Sequence, residues 1–207
     1  MLITFEGIEG SGKSTQLDLL YDHLQAKGHA VVKTREPGGT AFGEALRDVL
    51  LRRGFQVMPL SELLVIMAIR AQHVDSVIMP ALSEGKIVLC DRFVDATYAY
   101  QGYGRGIDLG IIETLNRLVT KGVRPNLTIL LDCEVETGLA RKQAANGTMD
   151  RFEKEAVAFH KAVMNAYRKL AAEDTRRFFM VGSNLPLEEA RRVIREKVEV
   201  LLETHGV

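Results

Sequence analysis

The stretch Gly7-Ile8-Glu9-Gly10-Ser11-Gly12-Lys13-Ser14-Thr15 has the residue types and the GxxxxGK[ST] spacing of a phosphate cradle. Glycines at 7, 10 and 12 let backbone N–H groups turn inward on phosphate oxygens, and a helix starting behind them adds its N-terminal partial positive charge. In such a loop Lys13 reaches the β- and γ-phosphates and the Ser14 hydroxyl ligates Mg²⁺. The chemistry implied is nucleoside triphosphate binding. A glycine-rich turn with an incidental lysine would share the composition but lack the context, a strand before and a helix after.

Four further groups are chemically suggestive. Asp91-Arg92 follows an apolar run; it is either an ion pair at a strand end or a carboxylate for the water shell of Mg²⁺ beside a guanidinium for a second phosphate. Arg47 and Arg70 fall on apolar helical faces, where an unpaired charge costs several kcal/mol. Each therefore needs a structural salt bridge or a ligand anion or carbonyl. Thr97 to Gly106 mixes tyrosines, Gln101 and glycines, which suits either recognition of a flat polar ring or a packed tyrosine cluster. The polar stretch from Arg141 to Arg151 reads as a lid that closes cations over phosphates or as a solvated connector.

The elements that must hold these groups are short and alternate in type. Apolar runs at Leu2–Phe5, Ala30–Thr34, Lys86–Asp91, Leu127–Asp132 and Arg177–Val181 predict five strands. Between them, helical spacing places Leu17, Leu20, Tyr21 and Leu24 on one face, then Phe42, Leu46, Val49 and Leu50 on another. Thr40 and Asp108 stand as N-caps, Gly28 as a C-cap, and Pro186 opens a last amphipathic helix. A long helical pattern over residues 59–84 meets Pro80, which must kink or divide it. Alternating strands and helices argue for right-handed parallel βαβ units, a doubly wound α/β sheet whose ligands lie beyond the carboxyl ends of its strands. Glu6/Gly7, Arg35/Glu36, Asp91/Arg92 and Asp132 share that edge.

At 207 residues the chain suits one domain over 1–207, with a small lid about 141–152. Lys+Arg and Asp+Glu balance at 27 each, so no basic field draws it to nucleic acid or to an anionic membrane. No apolar run approaches the ~18 residues that span a bilayer, and no secretory leader precedes the first strand. Cys90 and Cys133 read as buried reduced thiols rather than a disulfide framework. The expectation is a cytoplasmic protein with small-molecule partners.

Phe5-Glu6-Gly7 through Thr15, Arg35-Glu36-Pro37-Gly38-Gly39-Thr40, Asp91-Arg92-Phe93, Ala99-Tyr100-Gln101-Gly102 and Asp150-Arg151-Phe152-Glu153 together resemble thymidylate kinases over essentially the full length. The resemblance implies a P-loop NTPase fold with a five-stranded parallel sheet, helices on both faces and a short lid. It implies transfer of the ATP γ-phosphoryl group to thymidine 5′-monophosphate with Mg²⁺, usually by a homodimer without nucleic-acid or membrane partners. Gly7, Ile8, Glu9, Gly10, Ser11, Gly12, Lys13, Ser14 and Thr15 would then hold ATP, and Ser14 and Asp91 the metal. Glu9, Pro37, Arg47, Ile66, Arg70, Arg92, Thr97, Tyr100 and Gln101 would bind the acceptor, with Arg70 on a thymine carbonyl, Thr97 and Gln101 at ring N3, and Tyr100 against the 2′ position. Lys13, Glu9 and Arg92 would serve the transfer, with Arg141 or Arg151 as lid cation.

Two departures from the family pattern stand out. Relatives usually stack a phenylalanine on the thymine ring where this chain has Ile66, which weakens base selectivity and keeps a kinase for UMP or dUMP as an alternative. The loop interior Ile8-Glu9-Gly10-Ser11 has no arginine, so the transition-state cation must come from Arg141, Lys142 or Arg151. A P-loop regulatory ATPase is the alternative of a different class.

Overall fold

The computed structural model describes residues 1–52, 54–146, 150–153, 155–182 and 184–206, with the side chains of 145 and 146 excepted. The elements are β1 Leu2–Glu6, α1 Lys13–Ala26, β2 Val31–Arg35, α2 Ala41–Leu51, α3 Pro59–His73, α4 Met79–Ser83, β3 Ile87–Asp91, α5 Val94–Thr97, α6 Leu109–Thr120, β4 Leu127–Asp132, α7 Val135–Asn146, α8 Val157–Glu173, β5 Phe178–Gly182 and α9 Leu187–His205. All strands pair in parallel in the order β2-β3-β1-β4-β5. The expected five-stranded doubly wound sheet is therefore present, with the phosphate-loop strand at its centre.

Period-two alternation along β1 explains the two layers. Ile3 and Phe5 point to the side covered by α1 and α9, where they meet Leu17, Leu20, Ile194 and Val198. The other layer is built by α2, α3, α6 and α8 around Leu63, Met67, Ile112, Val163 and Tyr167. Strand register then decides the functional edge: Phe5 lies opposite Asp91, Glu6 opposite Leu130, and Arg35 opposite Asp91.

Two helices widen by a π-helical turn. Val74–Ile78 joins α3 to α4 just before Pro80, so the proline's missing N–H and ring are absorbed without ending the helical run. Tyr98–Gly104 extends α5 in the same way, where the sequence offered no regular element. The expectation that no run could span a bilayer needs correction: among the described residues Pro59–Ser83 is long and apolar enough by length and composition. It is nonetheless a core element, because α3 packs on α2 and α6 and buries Glu62, Arg70 and His73 among protein partners.

The helix entering the lid is longer than expected. Arg141 and Lys142 continue α7 instead of opening a loop. Of the expected lid, residues 147–149 lie outside the described residues, as does Arg53.

Candidate active site

The phosphate loop is shaped by close backbone packing. Gly10 has φ +70, and a Cβ there would meet the Gly138 carbonyl oxygen of α7 at 1.9 Å; a Cβ on Gly138 would meet the Glu9 carbonyl oxygen at 2.6 Å. Only two facing glycines let loop and helix approach so closely. Inside the loop the Lys13 ammonium is buried and donates to the Ile8 carbonyl at 2.8 Å. Burial, followed by the nearby Arg92 charge, draws it down to about 8. The buried Ser11 hydroxyl has no partner. A desolvated cation and an orphaned hydroxyl at a helix N-terminus form a site that an anion completes.

Ser14 Oγ donates to Asp91 Oδ2 at 2.8 Å where β1 and β3 end, beside an open cleft that Asp18 also lines. Hard oxygen donors on solvent fit a Mg²⁺ that keeps waters and takes its remaining ligands from phosphates.

Arg92 joins this loop to a second cleft. Its φ of 69 is left-handed, a conformation that costs a non-glycine residue free energy and is met at functional sites. The turn aims the guanidinium back over the loop, donating to the Gly7 carbonyl at 2.8 Å, Glu9 Oε1 at 2.9 Å and the Tyr167 hydroxyl at 3.1 Å. Tyr100 donates to the same Glu9 oxygen at 2.7 Å, and its ring lies 4.9 Å from the Arg92 guanidinium carbon. Burial would raise the Glu9 carboxyl, but Arg92 and Lys13 outweigh it and hold it below the usual value. Its Oε2 has no partner and faces His160 Nδ1, also unpartnered, at 3.7 Å.

The second cleft adjoins the loop. Glu9 and Arg92 form its phosphate-loop end, while Pro37, Arg47, Ile66 and Arg70 form one wall. Thr97, Tyr100 and Gln101 form the other, and Asp150 and Phe152 close it from the lid's far end.

A family model described as thymidylate kinase matches residues 5–194. The chain belongs to the thymidylate kinase family. The thymidylate kinase of Geotalea daltonii is 51% identical over 203 residues, 95% of each chain, and that of Gloeobacter violaceus is 49% identical over 203 residues, 98% of this chain and 96% of its own. A crystal structure of the Ehrlichia chaffeensis thymidylate kinase superposes with a TM-score of 0.77 at 35% identity, covering 96% of this chain and 98% of that one.

Against this family's pattern, the chain brings Glu9, Pro37, Arg47, Ile66, Arg70, Arg92, Thr97, Tyr100 and Gln101 to one cleft. Arg70 makes the structural salt bridge that its sequence position left open, with Glu36 at 2.7 Å. Four of its five N–H groups go to Glu36, Thr97, Asn116 and the Phe93 carbonyl, at 2.6 to 3.0 Å, so one N–H is left to offer. Arg47 donates to the Pro37 carbonyl at 2.8 Å. The lid cations separate: Arg141 lines a pocket beside Ser11, Gly12 and Thr15, whereas Arg151 donates to the Leu50 carbonyl and pairs with Glu62 at 2.7 Å.

The roles of several supporting residues escaped the sequence reading. Glu6 is fully buried between the Phe93 N–H and the Tyr167 hydroxyl, and burial together with the Asp95 charge raises its carboxyl to about 8. His73 links Glu36 to Thr34 beneath the Pro37 loop. Their one sequence signal is a polar residue inside an apolar run or helical face.

Proposed function

We propose that this chain transfers the γ-phosphoryl group of ATP to thymidine 5′-monophosphate, with the phosphate loop holding the donor and the adjoining cleft the acceptor. The single observation that carries this reading is the shared wall between the two sites: Arg92 bonds the Gly7 carbonyl of the loop and Glu9 of the cleft at once. Donor and acceptor are thereby held side by side, and alignment with charge stabilisation supplies most of the rate in phosphoryl transfer.

In this mechanism Lys13 and the N-terminus of α1 neutralise the β- and γ-phosphates. Arg92 holds the acceptor phosphate, which is already anionic and needs no strong general base. Glu9, which lines the acceptor cleft, would lie near the sugar 3′-hydroxyl or the metal water and so orient the acceptor. Tyr100, fixed by Glu9 and Arg92, crowds the 2′ position. Ser14 and Asp91 would hold Mg²⁺, which when bound neutralises charge on the phosphate oxygens. The lid cation is Arg141 or Arg151, and Arg141 stands on the donor side. Arg70 addresses a ring carbonyl, and Thr97 with Gln101 the ring N3 region, with Ile66 giving apolar contact.

The chain is proposed to act as a homodimer in the cytoplasm. Its two cysteines are buried and free, as a reducing compartment allows. Exposed apolar side chains on α2, α3 and α6 support the dimer reading.

A coupled assay of ADP formation with thymidine, deoxyuridine and uridine monophosphates tests the reading. Turnover is expected to be highest with thymidine monophosphate and lowest with the ribonucleotide. Equal rates with all three would overturn the thymidylate assignment, and ATP hydrolysis indifferent to any monophosphate would favour a regulatory ATPase.

A further inference from the structure

Glu62, Ile66 and Arg70 are spaced by one turn on α3, so they share a face. The last two line the acceptor cleft, and Glu62 lies behind it with no exposed surface. Its Oε1 accepts from Gln101 Nε2 at 2.9 Å and from Arg105 Nε at 3.2 Å. Its Oε2 accepts from Arg105 at 3.1 Å and faces the Arg151 guanidinium Nη2 at 2.7 Å. Arg105 is itself held by Glu155 at 2.8 Å.

A carboxylate between two guanidinium groups can only accept hydrogen bonds. The Gln101 side chain therefore has to turn its NH₂ group to Glu62, and its carbonyl is left for the cleft. Among the described residues no donor reaches that oxygen. We infer that Glu62 is a specificity-determining positioning residue: by fixing the Gln101 amide it makes the cleft present an acceptor, which pairs with a ring N3–H and repels a ring nitrogen lone pair. A pyrimidine-2,4-dione carries that N–H, and a cytosine ring carries a lone pair there. Because Arg151 sits on the same carboxylate, the end of the lid braces the group that selects the base.

This inference rests on the acceptor reading above. Its test compares kcat/KM for thymidine and deoxycytidine monophosphates in the wild type, in Glu62→Gln and in the exchange variant Glu62→Gln with Gln101→Glu. In Glu62→Gln the amide at 101 is free to flip and offer NH₂ to cytosine. The preference for thymidine monophosphate is expected to fall at least tenfold, chiefly through KM of that substrate. The exchange variant restores an acceptor-only group at 101 and is expected to recover most of the preference. A purely structural role would lower both substrates alike, so an unchanged ratio in a folded Glu62→Gln protein overturns the inference. If that variant does not fold, the wild type carries the test by NMR: the Gln101 side-chain NH₂ should be protected from exchange before and after thymidine monophosphate binds, and free exchange overturns it. A wild type that phosphorylates neither nucleotide would instead overturn the acceptor reading.

Discussion

Burial holds the Lys13 ammonium near 8 instead of its ordinary 10.5, with the Arg92 charge adding to the effect. The free protein therefore gives up this charge at a lower pH than an exposed lysine does. Triphosphate oxygens beside it favour the protonated form, so ATP binding should take up protons at pH 8 to 9, and KM for ATP should rise over that interval. Calorimetry in two buffers of different ionisation heat measures the uptake; proton release, or none, would refute it. Glu6 makes the opposite kind of prediction, about stability. Its carboxyl is raised by burial and by Asp95 to about 8 in the fold and returns to its ordinary 4.5 on unfolding. Between these values the native state holds a proton that the unfolded state has lost, so stability falls as pH rises from 4.5 through 8. Glu6→Gln removes this dependence while keeping the shape. The difference in Tm, variant minus wild type, should increase from pH 5 to pH 9, and a constant difference would contradict the assignment of the proton to Glu6.

At the scale of elements, the lid is where position and role must be matched. Arg141 on α7 stands beside the phosphate loop, Lys142 pairs with Glu153 at 3.2 Å, and Arg151 is tied to α2 and α3 through Leu50 and Glu62. An arginine acting on transferred phosphate is worth about 10³–10⁵ in turnover. Replacing each of the three by alanine should show such a loss in kcat for at least one, with Arg141→Ala also raising KM for ATP. If all three stay within tenfold of wild type, no lid cation acts. How far the sequence could lead follows from the range of the interactions. The phosphate loop, its strand and its helix are contiguous, and Asp91-Arg92 sits at a strand end, so spacing alone reveals them. Glu6 with Tyr167, 161 positions apart, and Arg70 with Asn116, 46 apart, are joined only by packing. Gly138 carries no local signal of the loop it faces. The π-helical turn at 98–104 was hidden as well, because its glycines and tyrosines suppress helical spacing although Thr97, Tyr100 and Gln101 still converge on the cleft.

For the molecule as a whole, apolar side chains left exposed on three packed helices bear on assembly. Phe42 and Val49 on α2, Leu60 and Leu64 on α3, and Ile111 and Leu118 on α6 are each about half exposed or more, Leu118 reaching 71%. These helices pack in sequence, α2 on α3 and α3 on α6, so the six side chains belong to one layer, on the side of the sheet opposite α1 and α9. Burying a side chain of this size is worth about 1.5–3 kcal/mol, and a two-fold contact buries each one twice. Self-association through this layer would also brace α3, whose inner face carries Glu62, Ile66 and Arg70. The expected outcome is a dimer at micromolar concentration by sedimentation, converted to monomer by Leu64→Asp. With α3 unbraced, that monomer should bind thymidine monophosphate more weakly while KM for ATP, whose site lies on α1, stays within about threefold. A wild-type monomer, or a Leu64→Asp protein that remains dimeric, would place any partner elsewhere, and equal damage to both substrates would deny α3 its special link to the acceptor.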